Sequence, residues 1–416
     1  MTASAAGLGA AEADALLLEL VATPEGRADP YPRYARLREQ APVHRSALDL
    51  WVVTRYEDCQ RVLRDPRFGK DYDNAVDRWR EADPELARQV AFPAEKPSLL
   101  FLNPPDHTRL RGLVTRAFTP KTVEGLRPRI VALVDELLDR LGEGETDLVA
   151  GLAFPLPVTV IGEMLGVPVE DRPRFQPLVR AVAALLEVFV SREALAAAEG
   201  AQRTMRSYFA DLVAERRAAP RHDLVSELLA AEAEGDRLTT DELISTAVLL
   251  FAAGFETTTN LIGNGVLALL RHPDQLLRLR RDPGLLRLAV DELLRYDSPV
   301  QVDGRTALAD VELGGHRLPA GAGVLTLLGS ANRDPERFTE PDRLDVGRDE
   351  GASLSFGSGI HHCLGAALAR VEGQVAFGRL LERFSEVELG TDEPARRDSL
   401  TLRGLVSLPV RLRRRG

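Results

Sequence analysis

"FGSGIHHCLG", Phe356–Gly365, places one of only two cysteines between glycines and directly ahead of an apolar helical run. His361, His362 and Cys363 are all zinc-ligand types, but contiguous side chains point apart, and zinc ligands are normally spaced by two or more residues. An iron–sulfur cluster needs about four cysteines. A nucleophilic cysteine needs an oriented base and leaves the flanking glycines without a task. An axial thiolate for haem iron uses every feature. Gly357 and Gly359 permit the turns of a loop that presents sulfur, and Gly365 lets the next helix lie against a flat macrocycle. The start of that helix offers free N–H groups and positive dipole, which favour a thiolate.

A second stretch, "FAAGFETTTN" (Phe251–Asn260), sets a glutamate and three threonines inside the most hydrophobic segment of the chain. Leu243–Leu270 is the one serious membrane-span candidate, and Glu256 near its middle, with Asn260 and Asn264, argues against it. "TTDE" (Thr239–Glu242) reads as a capping box and Pro273 as a stop. Between them lies one helix of roughly 50 Å at 1.5 Å per residue, long enough to cross a whole molecule. Buried in it, Glu256 and Thr257 need either partners or a task; a carbonyl one turn earlier would satisfy the threonine, and a cation the acid.

Elsewhere the pattern is mostly helical with a minor sheet. "APVHRSALDLWVVTRY" reads as a hairpin and "YEDCQRVLRD" as a helix carrying an inert, buried Cys59. Phe68 to Pro97 is irregular. Helical periodicity runs from Asp106 to about Leu294, short strands and turns follow Ser298, and a last helix spans about Leu364 to Phe384 before a β-rich tail. No linker or repeat divides the chain, so residues 1–416 read as one domain, with 1–25 a loosely ordered N-terminal segment. That segment lacks a basic n-region and reads as neither signal peptide nor anchor.

Composition bounds the function. The chain has 416 residues, 53 basic and 63 acidic, a net charge of −10, which disfavours nucleic acid as a partner. Two cysteines build no disulfide framework and fit a reducing cytoplasm.

Phe356, Gly359, Cys363 and Gly365 match F-x-x-G-x-x-x-C-x-G, the haem-binding signature of the cytochrome P-450 superfamily, and the chain resembles its soluble bacterial haem-thiolate monooxygenases. The resemblance implies the family's fold, a mostly helical triangular prism with a long central helix, and haem b held by Cys363 as axial ligand. "AGFETT" (Ala253–Thr258) resembles the superfamily's distal signature. Ala253 and Gly254 would then border an oxygen-binding groove, Gly254 loosening the helix there, while Thr257 steadies and Glu256 protonates the oxygen being activated. His107 and Arg111 in "HTRLR", Arg305 and His361 match propionate-binding positions. Phe356, Gly357 and Gly365 complete the cofactor cradle. "DELLR" supplies the structural pair Glu292 and Arg295; E-x-x-R recurs elsewhere in the chain, so its weight comes from its order, between the threonine helix and the cysteine loop. The family's third partner falls on Arg343, with Arg348 as rival.

With no flavin or nicotinamide fingerprint in the chain, two electrons must come from NAD(P)H through partner proteins. Arg109, Arg111, Arg116 and Lys121 form a basic strip suited to an acidic carrier, by resemblance a ferredoxin fed by a ferredoxin reductase. The resemblance implies a substrate pocket drawn from Phe68–Pro97, helices near Asp171–Arg217, the region of Leu250 and Ala253, Pro299–Val302, and Leu402–Val406. These segments are rich in Ala, Leu and Val, which predicts an apolar small molecule of secondary metabolism: a polyketide, terpene, steroid or fatty acyl chain. The protein is expected to be a cytoplasmic monomer without a membrane anchor. A peroxide-driven enzyme and a haem or small-molecule binder without turnover are the competing readings.

Overall fold

The structure is a computed structural model that describes residues 9–70, 98–188, 190–233 and 238–415. Its axis is the helix Thr240–Arg271, which begins and ends as the sequence predicts. Thr239 Oγ1 accepts from the Glu242 N–H at 3.2 Å and Glu242 Oε2 accepts from the Thr239 N–H at 2.9 Å, closing the capping box. His272 ends the helix, and Pro273 starts the next one at a position where its missing N–H costs nothing. Apolar residues surround this axis on nearly every side, so it packs against helices Pro155–Leu165, Arg192–Ala218, Leu286–Tyr296 and Ala366–Arg383. A helix buried all round belongs at the centre of a large core. No described helix is long and apolar enough to cross a membrane.

The strands are few and peripheral. Val43–Arg45 and Leu50–Val53 form the expected hairpin. Gly323–Leu327 adds to it in parallel, followed by Val302–Ala307 and Phe68–Gly69 as antiparallel strands. A smaller sheet joins Gly144–Asp147, Pro409–Arg414 and Phe384–Leu389, and Val311–Leu313 pairs with His316–Leu318. Cys59 is buried in the helix Tyr56–Arg64, its thiol pushed well up by that burial.

The N-terminal expectation is corrected. Residues Ala10–Ala22 form a helix and Pro24–Ala28 a second. Ala13, Leu16 and Leu20 share one face at helical spacing and are buried in a cluster with Tyr34, Leu37 and Val52. That apolar stripe docks the segment on the sheet, and the composition-based reading overlooked it. Of the irregular stretch 68–97, only residues 68–70 lie among those described.

Candidate haem and oxygen site

The cysteine loop is shaped by backbone needs that only glycine meets. Gly357 and Gly359 have φ of +66° and +70°, a region costly for other residues. A Cβ on Gly359 would also lie 2.2 Å from the Leu63 carbonyl oxygen. Cys363 donates its backbone N–H to the Phe356 carbonyl at 2.9 Å, closing the loop. Arg370 stacks over the half-buried Phe356 ring, 4.6 Å from its centroid. The helix Ala366–Arg383 starts directly after Gly365, where a Cβ would meet no protein atom within 4 Å. Packing within the chain therefore gives no reason for a glycine at 365; a flat group lying on that side does.

The helix start favours a thiolate as expected, through the Gly365 N–H, but burial works against it. Crowding by protein raises the Cys363 thiol, outweighing the Gly365 N–H and the charges of Arg111 and Arg370, which lower it. A coordinating metal cation would deprotonate the sulfur outright.

Around the loop the predicted anion-binding set assembles. The rings of His107 and His361 lie 4.4 Å apart, centroid to centroid. Each has a buried Nε2 without a hydrogen-bond partner among the described residues. Burial, then the Arg111 charge, lowers His107, and burial followed by Arg305, His107 and Lys70 pushes His361 down to about 3. Both are neutral at ordinary pH, with a ring nitrogen to give. Arg111 donates to the His362 carbonyl, which fixes its guanidinium beside the loop. Arg305 is buried and donates to Asp303 at 2.6 Å. Lys70, which the sequence did not suggest, reaches the same carboxylate at 2.9 Å. Two cations on one acid leave donor capacity for a further anion. Buried polar atoms normally have partners, so the orphaned histidine nitrogens fit the carboxylates of a haem.

On the long helix, Thr257 donates to the Ala253 carbonyl at 3.3 Å, the local satisfaction the sequence allowed. The backbone remains α-helical throughout this turn. Gly254 is therefore not a point of loosening: a Cβ there would lie 2.7 Å from Ile161 Cγ1, so the glycine admits the neighbouring helix Pro155–Leu165. Glu256 is buried and pairs with Arg397 from the C-terminal segment. Its Oε2 has no partner among the described residues. Glu372, on the final helix, was missed: it is buried with both carboxyl oxygens unpartnered among the described residues, and burial raises it well above the usual carboxylate range. Only its acidic type within an apolar helical face could have flagged it.

The structure brings Glu292 and Arg295 together. Arg295 donates to Glu292 through two bonds of 2.6 and 2.9 Å. The third member is Arg348, 3.2 Å from Glu292, and not Arg343. The Arg343 side chain turns to solvent and pairs with Glu340, contributing only its carbonyl to Arg295 and Arg348. In the basic strip, Arg109 is taken up by Glu242 at 2.7 Å and Asp106 at 2.9 Å, so only Arg111, Arg116 and Lys121 keep its character.

A profile of the family described as Cytochrome P450 matches residues 50–413. The chain belongs to the cytochrome P450 family. It is 47% identical over 393 residues to cytochrome P450 107B1 of Saccharopolyspora erythraea, covering 92% of this chain and 95% of that one. It is 45% identical to the vitamin D(3) 25-hydroxylase of Pseudonocardia autotrophica, covering 92% and 93%. The ligand-free structure of CYP164A2 from Mycobacterium smegmatis superposes with a TM-score of 0.88 at 42% identity, covering 96% of this chain and 100% of that one. The protein is thus a cytochrome P450 monooxygenase, an oxidoreductase with haem as its cofactor.

A cavity of about 320 Å³ adjoins Glu256 in this P450. Ala183, Ala184, Leu402 and Val406 line it, from two of the segments expected to form the pocket. Pro299–Val302 does not, and most of Phe68–Pro97 lies outside the described residues. The lining is also more charged than expected, because Arg180, Glu187, Arg397 and Asp398 share it.

Proposed function

We propose that this P450 hydroxylates, or by variation of the same chemistry epoxidises or demethylates, an organic substrate with a large apolar part, using two electrons delivered by a ferredoxin and its reductase. The pair of orphaned nitrogens on His107 and His361, beside the Cys363 loop, is the observation that carries the reading.

Once bound, the haem supplies dioxygen activation, with the cysteine sulfur donating electron density that favours O–O cleavage. The remaining work belongs to the chain. His107, His361, Arg111 and Arg305 would hold the propionates, and Cys363 would hold the iron. Gly365 admits the macrocycle, and the Phe356 carbonyl holds the loop through the Cys363 N–H. Glu256 moves protons to the oxygen side; its free Oε2 is available for that transfer. Thr257, its hydroxyl bonded only weakly to the Ala253 carbonyl, swings to hold the oxygen or a water in line. Arg111, Arg116 and Lys121 offer the basic face for an acidic electron carrier. A peroxide-driven enzyme would leave Glu256 and Thr257 without a task.

The test is reconstitution with ferredoxin, reductase and NADPH. Oxygen-dependent product supports the reading, and peroxide sufficing without reductase overturns it. Thr257→Ala should divert electrons from product to released peroxide, and unchanged coupling would remove the threonine from the relay.

A further inference from the structure

The cavity beside Glu256 carries guanidinium donors that an apolar substrate would leave unanswered. Its three acids already have partners. Glu187 accepts from the Ser399 hydroxyl and from the backbone N–H groups of Leu400 and Thr401 at 3.2 and 3.3 Å. Asp398 pairs with Arg27 at 2.5 Å, and Glu256 with Arg397. The cations are not matched in the same way. Arg397 gives one amino group to Glu256 and its Nε to the Leu405 carbonyl at 3.2 Å, but its Nη2 is buried and unpartnered among the described residues. The exposed side chain of Arg180, from the helix Phe175–Ala183, has neither ion pair nor hydrogen bond among the described residues. The two arginines are close enough that, after burial, the Arg180 charge is the next cause lowering Arg397, to about 10. Two guanidinium groups thus border one cavity, and Nη2 of Arg397 and the Arg180 fork have no acceptor among the described residues.

We propose that this cavity is an anion subsite, where Arg180 and Nη2 of Arg397 hold the carboxylate of a substrate whose apolar remainder lies against Ala183, Ala184, Leu402 and Val406. This rests on the monooxygenase reading and refines its substrate to an organic acid. A guanidinium fork matches carboxylate geometry, with charge-assisted bonds stronger than neutral ones.

The experiment uses haem-loaded protein and a panel of straight-chain, branched and cyclic carboxylic acids, each with its methyl ester. Affinity is read by equilibrium dialysis and by the shift of the haem absorption band. At least one acid should bind about tenfold more tightly than its ester, with the advantage shrinking at high salt. Arg180→Gln and Arg397→Gln should each reduce that preference while leaving ester affinity unchanged, and Arg180→Lys should keep most of it. Arg180 sits at the cavity rim, so its substitution leaves the core untouched. Equal affinities across the panel, or a preference that survives both glutamine variants, overturns the proposal. The carbonyl adduct of the reduced protein separates the two readings. A thiolate-type band without acid preference sinks the subsite alone; acid preference without that band sinks the monooxygenase reading instead.

Discussion

Two buried carboxylate–guanidinium pairs in this P450 look alike in composition and differ in closure. At Glu292, both oxygens are used: Arg295 takes them in a fork, Arg348 adds a second cation, and the Asp345 N–H donates at 2.9 Å. Arg295 in turn donates to the carbonyls of Asn332 and Pro341, both at 2.8 Å. At Glu256, one oxygen meets Arg397, while Oε2 and Arg397 Nη2 have no partner among the described residues. A closed network holds loops together, and an open one keeps donors and acceptors ready for something that arrives. The first pair ties the stretch before the cysteine loop to the core; the second borders the cavity.

The largest expected effect comes from opening the closed pair. Glu292→Gln leaves two buried arginines short of a counter-charge and should cost about 3–5 kcal/mol, read by denaturant unfolding. A loss below about 1 kcal/mol would mean the two pairs are equivalent and the contrast is false. Glu256→Gln should change stability little, because Arg397 faces a cavity that water can enter, yet lower product formation by about 10²-fold or more. Stability falling while turnover holds would invert the assignment. Arg348→Ala should cost about 1–3 kcal/mol and Arg343→Ala no more than about 0.5 kcal/mol; the reverse order would restore Arg343 as the third partner.

The smallest effect is a pH slope at the third acid cluster. Burial raises Asp303, but Lys70 and Arg305 overcome it and hold the carboxyl at about 2, below an ordinary value of about 3.9. Its folded value is depressed, so its stabilisation is complete above about pH 4 and is lost as pH falls through about 2. Thermal unfolding followed from neutral to acid pH should slope less steeply in Asp303→Asn across that window. An unchanged slope would show that neither cation is coupled to it.

Much of this was legible from local pattern. The capping box and Pro273 bounded the long helix, and the glycines at 357 and 359 announced a loop with positive φ. Cys363, His107 and His361 were picked out by the resemblance, and the rings of the two histidines lie 4.4 Å apart in the structure. What was missed involves segments distant in sequence. Arg397 lies 141 positions beyond Glu256 (397 less 256), and no periodicity links them. Lys70 reaches Asp303 across a gap of 233 residues. Gly254 looked like a hinge because the residue facing it, Ile161, could not be seen from the helix alone.

By itself, then, the sequence determined which segments are helical, where the central helix starts and stops, and which sulfur is presented by which turn. Those outcomes depend on backbone preferences and on side chains within one or two turns of each other. Tertiary structure alone decided which arginine neutralises which acid: Arg348 over Arg343, Arg397 for Glu256, Lys70 for Asp303. A charge is matched by whatever packing brings within a few ångströms, and that proximity is a property of the folded core and not of any stretch of chain.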